Sequence, residues 1–157
     1  LGAPSNDLGE DDAGRAYLFW GSGLGSSETK VASEADVIFS ATEEDGELGF
    51  SVSAGSDVDA DGMNDVLIGV PGSSEESSEA GAALLFLGEY LSAGGVFSPD
   101  DADFMFYGTG SSDHAGYVVH GMGDIDGDGF DDLAVTEPDD TTVYGVSSGS
   151  VHLLFAP

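Results

Sequence analysis

A repeat of constant period constrains this chain more than any other feature. Leu1-Gly2-Ala3-Pro4, Ile68-Gly69-Val70-Pro71 and Val135-Thr136-Glu137-Pro138 align at an offset of 67 residues, as do Gly14-Arg15-Ala16-Tyr17-Leu18-Phe19 and Gly81-Ala82-Ala83-Leu84-Leu85-Phe86. Asp36-Val37-Ile38-Phe39 matches Asp103-Phe104-Met105-Phe106 in the same way, and Gly49-Phe50-Ser51-Val52 matches Gly116-Tyr117-Val118-Val119. The register slips once. Gly149-Ser150-Val151-His152-Leu153-Leu154-Phe155 follows Gly81 by 68 residues, an insertion that the segment from Asp139 to Ser148 can absorb. Self-similarity of this kind is the signature of a repeat architecture, of which the chain holds about two and a third copies.

Within each copy, short runs of β-branched and aromatic residues are bounded by Gly, Ser, Asp and Pro, and no apolar period of a helix persists. Such runs predict strands near 14–20, 36–41, 49–55, 65–70, 81–88, 103–108, 116–123, 132–137 and 149–155, with Leu1 to Ala3 as the stub of another. Four strands per repeat is the content of a propeller blade. The segments Gly21 to Lys30 and Glu89 to Pro99 are expected to be loops. Gly21-Ser22-Gly23-Leu24-Gly25 lacks the lysine and the helix that a phosphate-binding loop requires. Phe19, Phe86 and Phe155 are expected to recur in the core between blades, with Trp20 beside them.

Charge narrows the partners. Thirty-one acidic residues face only Arg15 and Lys30, for a formal net charge of −29. Two basic residues cannot displace phosphate counterions, so nucleic acid is excluded, and anionic membrane surfaces with it. A hydrophobic fraction of 40% is too high for a disordered acidic tail. Self-repulsion of this size opposes compaction unless cations offset it. Cysteine is absent, which removes disulfides and thiolate chemistry, and no run approaches the roughly 18 apolar residues of a membrane span.

The cation finds its place in two loops. Asp57-Val58-Asp59-Ala60-Asp61-Gly62-Met63-Asn64-Asp65 reads D-x-D-x-D-G-x-x-D, and Asp124-Ile125-Asp126-Gly127-Asp128-Gly129-Phe130-Asp131-Asp132 repeats it one period later. Carboxylates at positions 1, 3 and 5 can converge on a hard cation, Gly at position 6 permits the sharp turn, the carbonyl of position 7 (Met63 or Phe130) adds an oxygen, and the carboxylate at position 9 closes the shell. An EF-hand would need flanking helices and an acidic residue at position 12, where Ile68 and Val135 stand. Each loop instead joins two strands, so the ion is structural. Ca²⁺ suits this all-protein oxygen cage better than Mg²⁺, and Zn²⁺ would prefer nitrogen or sulfur. His114, His120 and His152 lack ligand spacing. Runs such as Glu43-Glu44-Asp45 and Asp100-Asp101 read as solvated loop.

Taken together, these blocks resemble the FG-GAP repeat, the unit of the integrin α-subunit β-propeller and of many secreted bacterial proteins. Gly49-Phe50 and Gly116-Tyr117 carry the aromatic-glycine element, and Gly2-Ala3-Pro4 with Gly69-Val70-Pro71 the Gly-Ala-Pro element; Thr136-Glu137-Pro138 departs from it. The resemblance implies an all-β fold of four-stranded antiparallel propeller-type blades, an incomplete propeller forming one array over 1–157: a partial repeat 1–48, a full repeat 49–115 and a partial repeat 116–157. It also implies two Ca²⁺ sites, one of Asp57, Asp59, Asp61, Met63 and Asp65, the other of Asp124, Asp126, Asp128, Phe130 and Asp132.

The function implied is that of an extracellular or cell-surface, calcium-binding structural and adhesive module without catalysis. Its partners would be the remainder of a longer propeller, or a second copy that completes the open blades by strand addition into a ring or filament. The alternative is a recognition module for a glycan or protein ligand, with Trp20, Tyr90 and Tyr107 as stacking surfaces. Ser111-Ser112-Asp113-His114 offers the elements of a hydrolytic site, but adjacent residues do not face one another as a triad must.

Overall fold

The computed structural model describes residues 1–23, 29–141 and 146–156. Eleven strands dominate them: β1 (Gly2–Ala3), β2 (Arg15–Leu18), β3 (Val37–Ser40), β4 (Val52–Ser56), β5 (Asp65–Val70), β6 (Ala82–Phe86), β7 (Gly95–Phe97), β8 (Phe104–Tyr107), β9 (Val119–Gly123), β10 (Asp132–Glu137) and β11 (Ser150–Leu154). They form three sheets, in the orders β1-β2-β3-β7, β4-β5-β6-β8 and β9-β10-β11. The middle sheet is a complete antiparallel four-stranded blade. Its flanking sheets repeat parts of the same design, and all three sheets are open.

Two expectations are corrected. The segment from Glu89 to Pro99 is not a loop: a one-turn helix α1 (Gly88–Leu91) leads into β7, which pairs in parallel with β3 of the preceding repeat through Val37↔Gly95, Ile38↔Val96 and Phe39↔Phe97. Phe155 is not core but 55% exposed. The reason lies in the one-residue slip of the repeat. Leu133 pairs with Leu154 as Val66 pairs with Phe86, so the repeat equivalent of Phe86 is Leu154 and Phe155 corresponds to Leu87. One residue along a strand changes the face. Phe86 itself is buried, Phe19 is partly buried, and Trp20 packs against the first core. The loop over Gly21 to Lys30 begins with a 3-10 turn at Gly21–Gly23, and residues 24–28 lie outside the described residues, as do 142–145 of the Asp139 to Ser148 segment.

The two central strands of the middle blade, β5 and β6, are buried on both faces, which is why they are apolar runs and not alternating ones. Val66, Ile68, Val70, Ala82, Leu84 and Phe86 face the N-terminal sheet, in a core with Val37, Phe39 and Leu91. Leu67, Ala83 and Leu85 face the C-terminal sheet, in a core with Val119, Leu133 and Val135. The ring of Phe97 from β7 joins Phe39 and Phe86 at centroid distances of 5.9 and 6.3 Å, sealing the first core at its outer edge.

Glycine sets the distance between blades. A Cβ on Gly69 would lie 1.9 Å from the carbonyl oxygen of Gly116, and one on Gly2 would lie 2.0 Å from that of Gly49. Gly49 and Gly116 themselves have φ of 88° and 83° and open the turns that precede β4 and β9. The Gly49 N–H donates to the Gly69 carbonyl at 3.1 Å, and the Gly116 N–H to the Thr136 carbonyl at 3.1 Å. Between blades, at Gly2–Gly49 and Gly69–Gly116, the backbones meet without intervening side chains, and the aromatic neighbours Phe50 and Tyr117 pack in a tilted pair with ring centroids 4.7 Å apart.

The C-terminal sheet departs from the repeat in its core chemistry. Glu137 stands where the middle blade has Val70, and His152 where it has Leu84; Glu137 Oε2 and His152 Nε2 are 3.0 Å apart. Burial pushes the Glu137 carboxyl above its ordinary value, the contact with His152 opposes this, and the nearby carboxylates of Asp113 and Asp140 push it further up. A carboxyl raised in the folded state binds its proton more tightly there than in the unfolded chain. It therefore weakens the fold as pH rises past the unfolded value of 4.5.

Two predictions follow from this packing. Gly69→Ala should lower the melting temperature by roughly 5 to 10 °C, equivalent to about 2 to 3 kcal/mol of overpacking, as read by circular dichroism; an unchanged midpoint would show that the two backbones can separate freely. Glu137→Gln should raise the midpoint at neutral pH by roughly 2 to 4 °C and flatten its decline above pH 4.5. A pH slope identical to that of the parent chain would remove Glu137 from the titration.

Candidate metal centre

Each aspartate loop bridges the first two strands of its blade, β4 to β5 and β9 to β10. In the first, the Asp57 carboxylate accepts the N–H of Asp61 through Oδ1 at 3.0 Å and of Gly62 through Oδ2 at 3.0 Å. Asp59 Oδ1 accepts the Asp61 N–H at 3.2 Å, and Asp61 Oδ1 accepts the Met63 N–H at 2.7 Å. The second loop repeats every contact. Asp124 Oδ1 takes the Asp128 N–H at 3.1 Å and Asp124 Oδ2 the Gly129 N–H at 3.0 Å; Asp126 Oδ1 takes the Asp128 N–H at 3.2 Å, and Asp128 Oδ1 the Phe130 N–H at 3.0 Å. Gly62 and Gly129 hold φ of 89° and 101°, the left-handed turn that position 6 requires.

The ninth-position aspartates are built differently from the others. Asp65 and Asp132 are buried, and each clamps its loop to the blade with both oxygens. Asp65 Oδ2 accepts the Val58 N–H at 2.7 Å and Oδ1 the Gly88 N–H at 2.8 Å; Asp132 Oδ2 accepts the Ile125 N–H at 3.0 Å and Oδ1 the Ala156 N–H at 3.2 Å. Burial pushes the Asp65 carboxyl up, the two backbone donors pull it down, and the charges of Asp59 and Asp57 add to the rise. Repulsion within the loop is thus part of the folded state.

One oxygen from each of Asp57, Asp59 and Asp61 lies within 4.8 Å of the others, as does one from each of Asp124, Asp126 and Asp132. Asp65 stands outside the first of these groups and Asp128 outside the second. Met63 and Phe130 follow the turn glycine, with the Met63 side chain exposed. A donor set of oxygens alone, carried on exposed loops tied to rigid strands, fits a hard divalent cation. Such an ion would supply charge neutralisation and no redox chemistry. The two loops also touch each other: the Asp57 N–H donates to Asp131 Oδ2 at 3.0 Å and the Asp131 N–H to the Asp57 carbonyl at 3.1 Å.

A third group, buried Asp113, Glu137 and Asp140, has oxygens within the same separation and was not anticipated from spacing, since its members come from three different turns and strands. The readable signal was Glu137 at a repeat position occupied by valine. These carboxylates have protein partners: Gly110 N–H on Asp113 at 2.8 Å, His152 on Glu137, and the Ser150 hydroxyl on Asp140. Within Ser111-Ser112-Asp113-His114, Ser112 Oγ donates to Glu79 Oε2 at 3.0 Å, while His114 Nδ1 lies 3.1 Å from Asp139 Oδ2. Serine and histidine here are turned to different partners. Of the aromatic candidates, Tyr90 is exposed, whereas Tyr107 packs against the first core with its hydroxyl 2.8 Å from Met105 Sδ.

Comparison with known proteins places these elements in a family. The FG-GAP repeat model matches residues 48–86 and 121–154, each stretch containing one aspartate loop and strands on either side of it. The chain is 32% identical over 152 residues to integrin alpha-PS5 of Drosophila melanogaster and 31% identical over 154 residues to integrin alpha-5 of Xenopus laevis, covering 92% of this chain and 14% of each relative. It is 31% identical to integrin alpha-3 of Mus musculus over 105 residues, 64% of this chain and 10% of that one. The chain therefore spans about a seventh of the length of the integrin α subunits that it matches over most of its extent. With its paired aspartate loops, its glycine-spaced blades and these likenesses, the chain belongs to the FG-GAP repeat family, with repeats of the integrin α type.

Proposed function

We propose that this chain is a calcium-binding, non-catalytic structural and adhesive module that works outside the cell or at its surface. One observation carries the reading: two loops one period apart repeat the same set of carboxylate-to-backbone hydrogen bonds, from Asp57, Asp59 and Asp61 in one and from Asp124, Asp126 and Asp128 in the other, and gather three carboxylate oxygens each. In this reading Asp57, Asp59, Asp61, Asp65 and the Met63 carbonyl hold one Ca²⁺, and Asp124, Asp126, Asp128, Asp132 and the Phe130 carbonyl hold a second. Each ion offsets the repulsion that an acidic loop of this density creates. Two divalent ions reduce the formal charge of −29 by four, so a calcium-rich, saline exterior is the fitting environment. The likeness to integrin α subunits supports the extracellular setting and the adhesive role.

The outer edges of β1 and β11 have no strand beside them among the described residues. We place their completion in the same reading, by further blades of a longer propeller or by a second copy. Protein or glycan ligands then meet the assembled propeller. Among the described residues no helix is long and apolar enough to cross a membrane.

Calcium titration followed by sedimentation and circular dichroism tests the reading. Excess EGTA should lower the melting temperature, and calcium at about a hundredfold over its dissociation constant should restore about 2.7 kcal/mol per site. Asp59→Asn and Asp126→Asn should each reduce the calorimetric stoichiometry from two ions to one while the β-sheet spectrum persists. A midpoint indifferent to EGTA, or two ions still bound by the double variant, would sink the assignment. Loss of a large assembly on chelation would identify self-completion; a constant sedimentation coefficient would assign the open edges to a longer propeller.

A further inference from the structure

Between the first and middle blades, at the end of β5 opposite its aspartate loop, lies a cavity of about 300 Å³. Its floor is apolar: Val70, Ala82 and Leu84, all buried, come from the two central strands of the middle blade. Ser40 and Ala41 line it from the end of β3, and Ser98 and Pro99 from the link between β7 and β8. Every wall thus belongs to residues 40–107. One repeat later the positions of Val70, Ser73, Ala82 and Leu84 hold Glu137, Asp140, Ser150 and His152, whose side chains bond in pairs. The apolar floor is therefore particular to this junction and not a general consequence of the repeat.

Above this floor the lining is acidic. Glu43, Glu75 and Asp100 stand on it, each from a different connection between strands, and neither Arg15 nor Lys30 reaches it. Among the described residues these three do not gather into a ligand set as the loop aspartates do, which disfavours a metal ion. Their charge nevertheless reaches the interior. Burial first, and then the carboxylates of Glu75, Glu76, Asp100 and Glu43, push the Tyr107 phenol above its ordinary value. Low-dielectric walls concentrate such a field. The Tyr107 hydroxyl donates to the Met105 thioether at 2.8 Å, a weak acceptor, and its oxygen accepts no bond among the described residues.

The walls are held in place by bonds of their own. Glu43 Oε1 accepts the Ser74 N–H at 2.6 Å and the Gly46 carbonyl accepts the Gly72 N–H at 3.2 Å, tying the connections of the two blades together. Asp101 Oδ2 accepts both the N–H and the hydroxyl of Ser98 at 2.7 Å, which fixes the turn at Pro99. We propose that this cavity binds a small organic cation, an alkylammonium whose apolar stem lies on Val70, Ala82 and Leu84 and whose charged end meets the Tyr107 oxygen and the carboxylates of the rim. A largely apolar lining with a few placed polar groups is the common form of a small-molecule site. A neutral sugar would leave the three carboxylates unanswered, and an acidic ligand would be repelled. The inference is independent of calcium binding and of how the open edges are completed.

Pentylamine, protonated at neutral pH, is the probe, titrated into the intact chain with calcium saturating and ionic strength constant. The amide resonances of Ser73, Ser98 and Tyr107 should shift together and saturate, with a dissociation constant of about 1 mM or below. Pentanol, with the same stem and no charge, should bind at least about tenfold more weakly. Glu75→Gln with Asp100→Asn removes two exposed charges from the rim and should weaken the amine by at least about tenfold. Glu10→Gln with Glu89→Gln removes as much exposed charge elsewhere and should leave its affinity within about twofold. No saturation up to about 10 mM, equal binding of pentanol, or an equal loss in the two double variants would each overturn the proposal.

Discussion

Everything in this molecule depends on how closely one blade's backbone can approach the next. Gly69 lies against Gly116, and Gly2 against Gly49, at separations that admit no Cβ. Two sheets ordinarily stack about 10 Å apart with side chains interdigitating between them. Here the inner ends of the blades draw together at glycine while their middles remain spread by Phe39, Phe86 and Leu84. The result is a wedge, and wedges stacked in sequence make a propeller. Thr136, at the third such position, keeps its strand by another route: its Oγ1 accepts the Val118 N–H at 2.9 Å. A β-branched side chain now stands where the other two blades present bare backbone.

Stacking of this kind leaves the loops at one end of adjacent blades in contact, which explains the coupling of the two aspartate loops. Asp57 and Asp131 exchange backbone and carboxylate bonds across the blade boundary. Acidic loops so placed repel unless a cation is present, and their carboxylates already spend part of their acceptor capacity on backbone N–H groups. Those bonds hold the oxygens in position. They do not neutralise them, and a chain with two basic residues has no internal means to do so.

The repeat made most of this legible from the amino acids. Strand positions followed from β-branched and apolar runs, and the loops from the spacing of Asp57 to Asp65 and Asp124 to Asp132. Both signals are local, since each needs only a handful of neighbouring residues. β7 escaped because Gly95-Val96-Phe97 has glycine at its start and a serine after it, and because its partner Val37–Phe39 belongs to the preceding repeat. A three-residue strand is specified by the edge that receives it. Phe155 was misplaced for a different reason. The insertion before β11 moves the aligned aromatic by one position, and a strand converts one position into the opposite face.

The polar interior of the C-terminal blade marks the limit of arguing by equivalence between repeats. Val70 and Leu84 show that an apolar pair satisfies this position in the middle blade, where both faces are covered. Glu137 and His152 occupy it in the next blade together with Asp140, Ser150 and Asp113, and each polar group is answered by another. Replacing a buried apolar pair with a hydrogen-bonded ionisable one seldom adds stability, because desolvation cancels much of the attraction. What it adds is direction: His152 also stacks on Phe106 at 5.0 Å, so the pair locks β11 to β10 while its ring holds the outer strand of the middle blade. The C-terminal sheet lacks a fourth strand among the described residues, and this network fixes its register by directional bonds where the middle blade relies on packing from both sides.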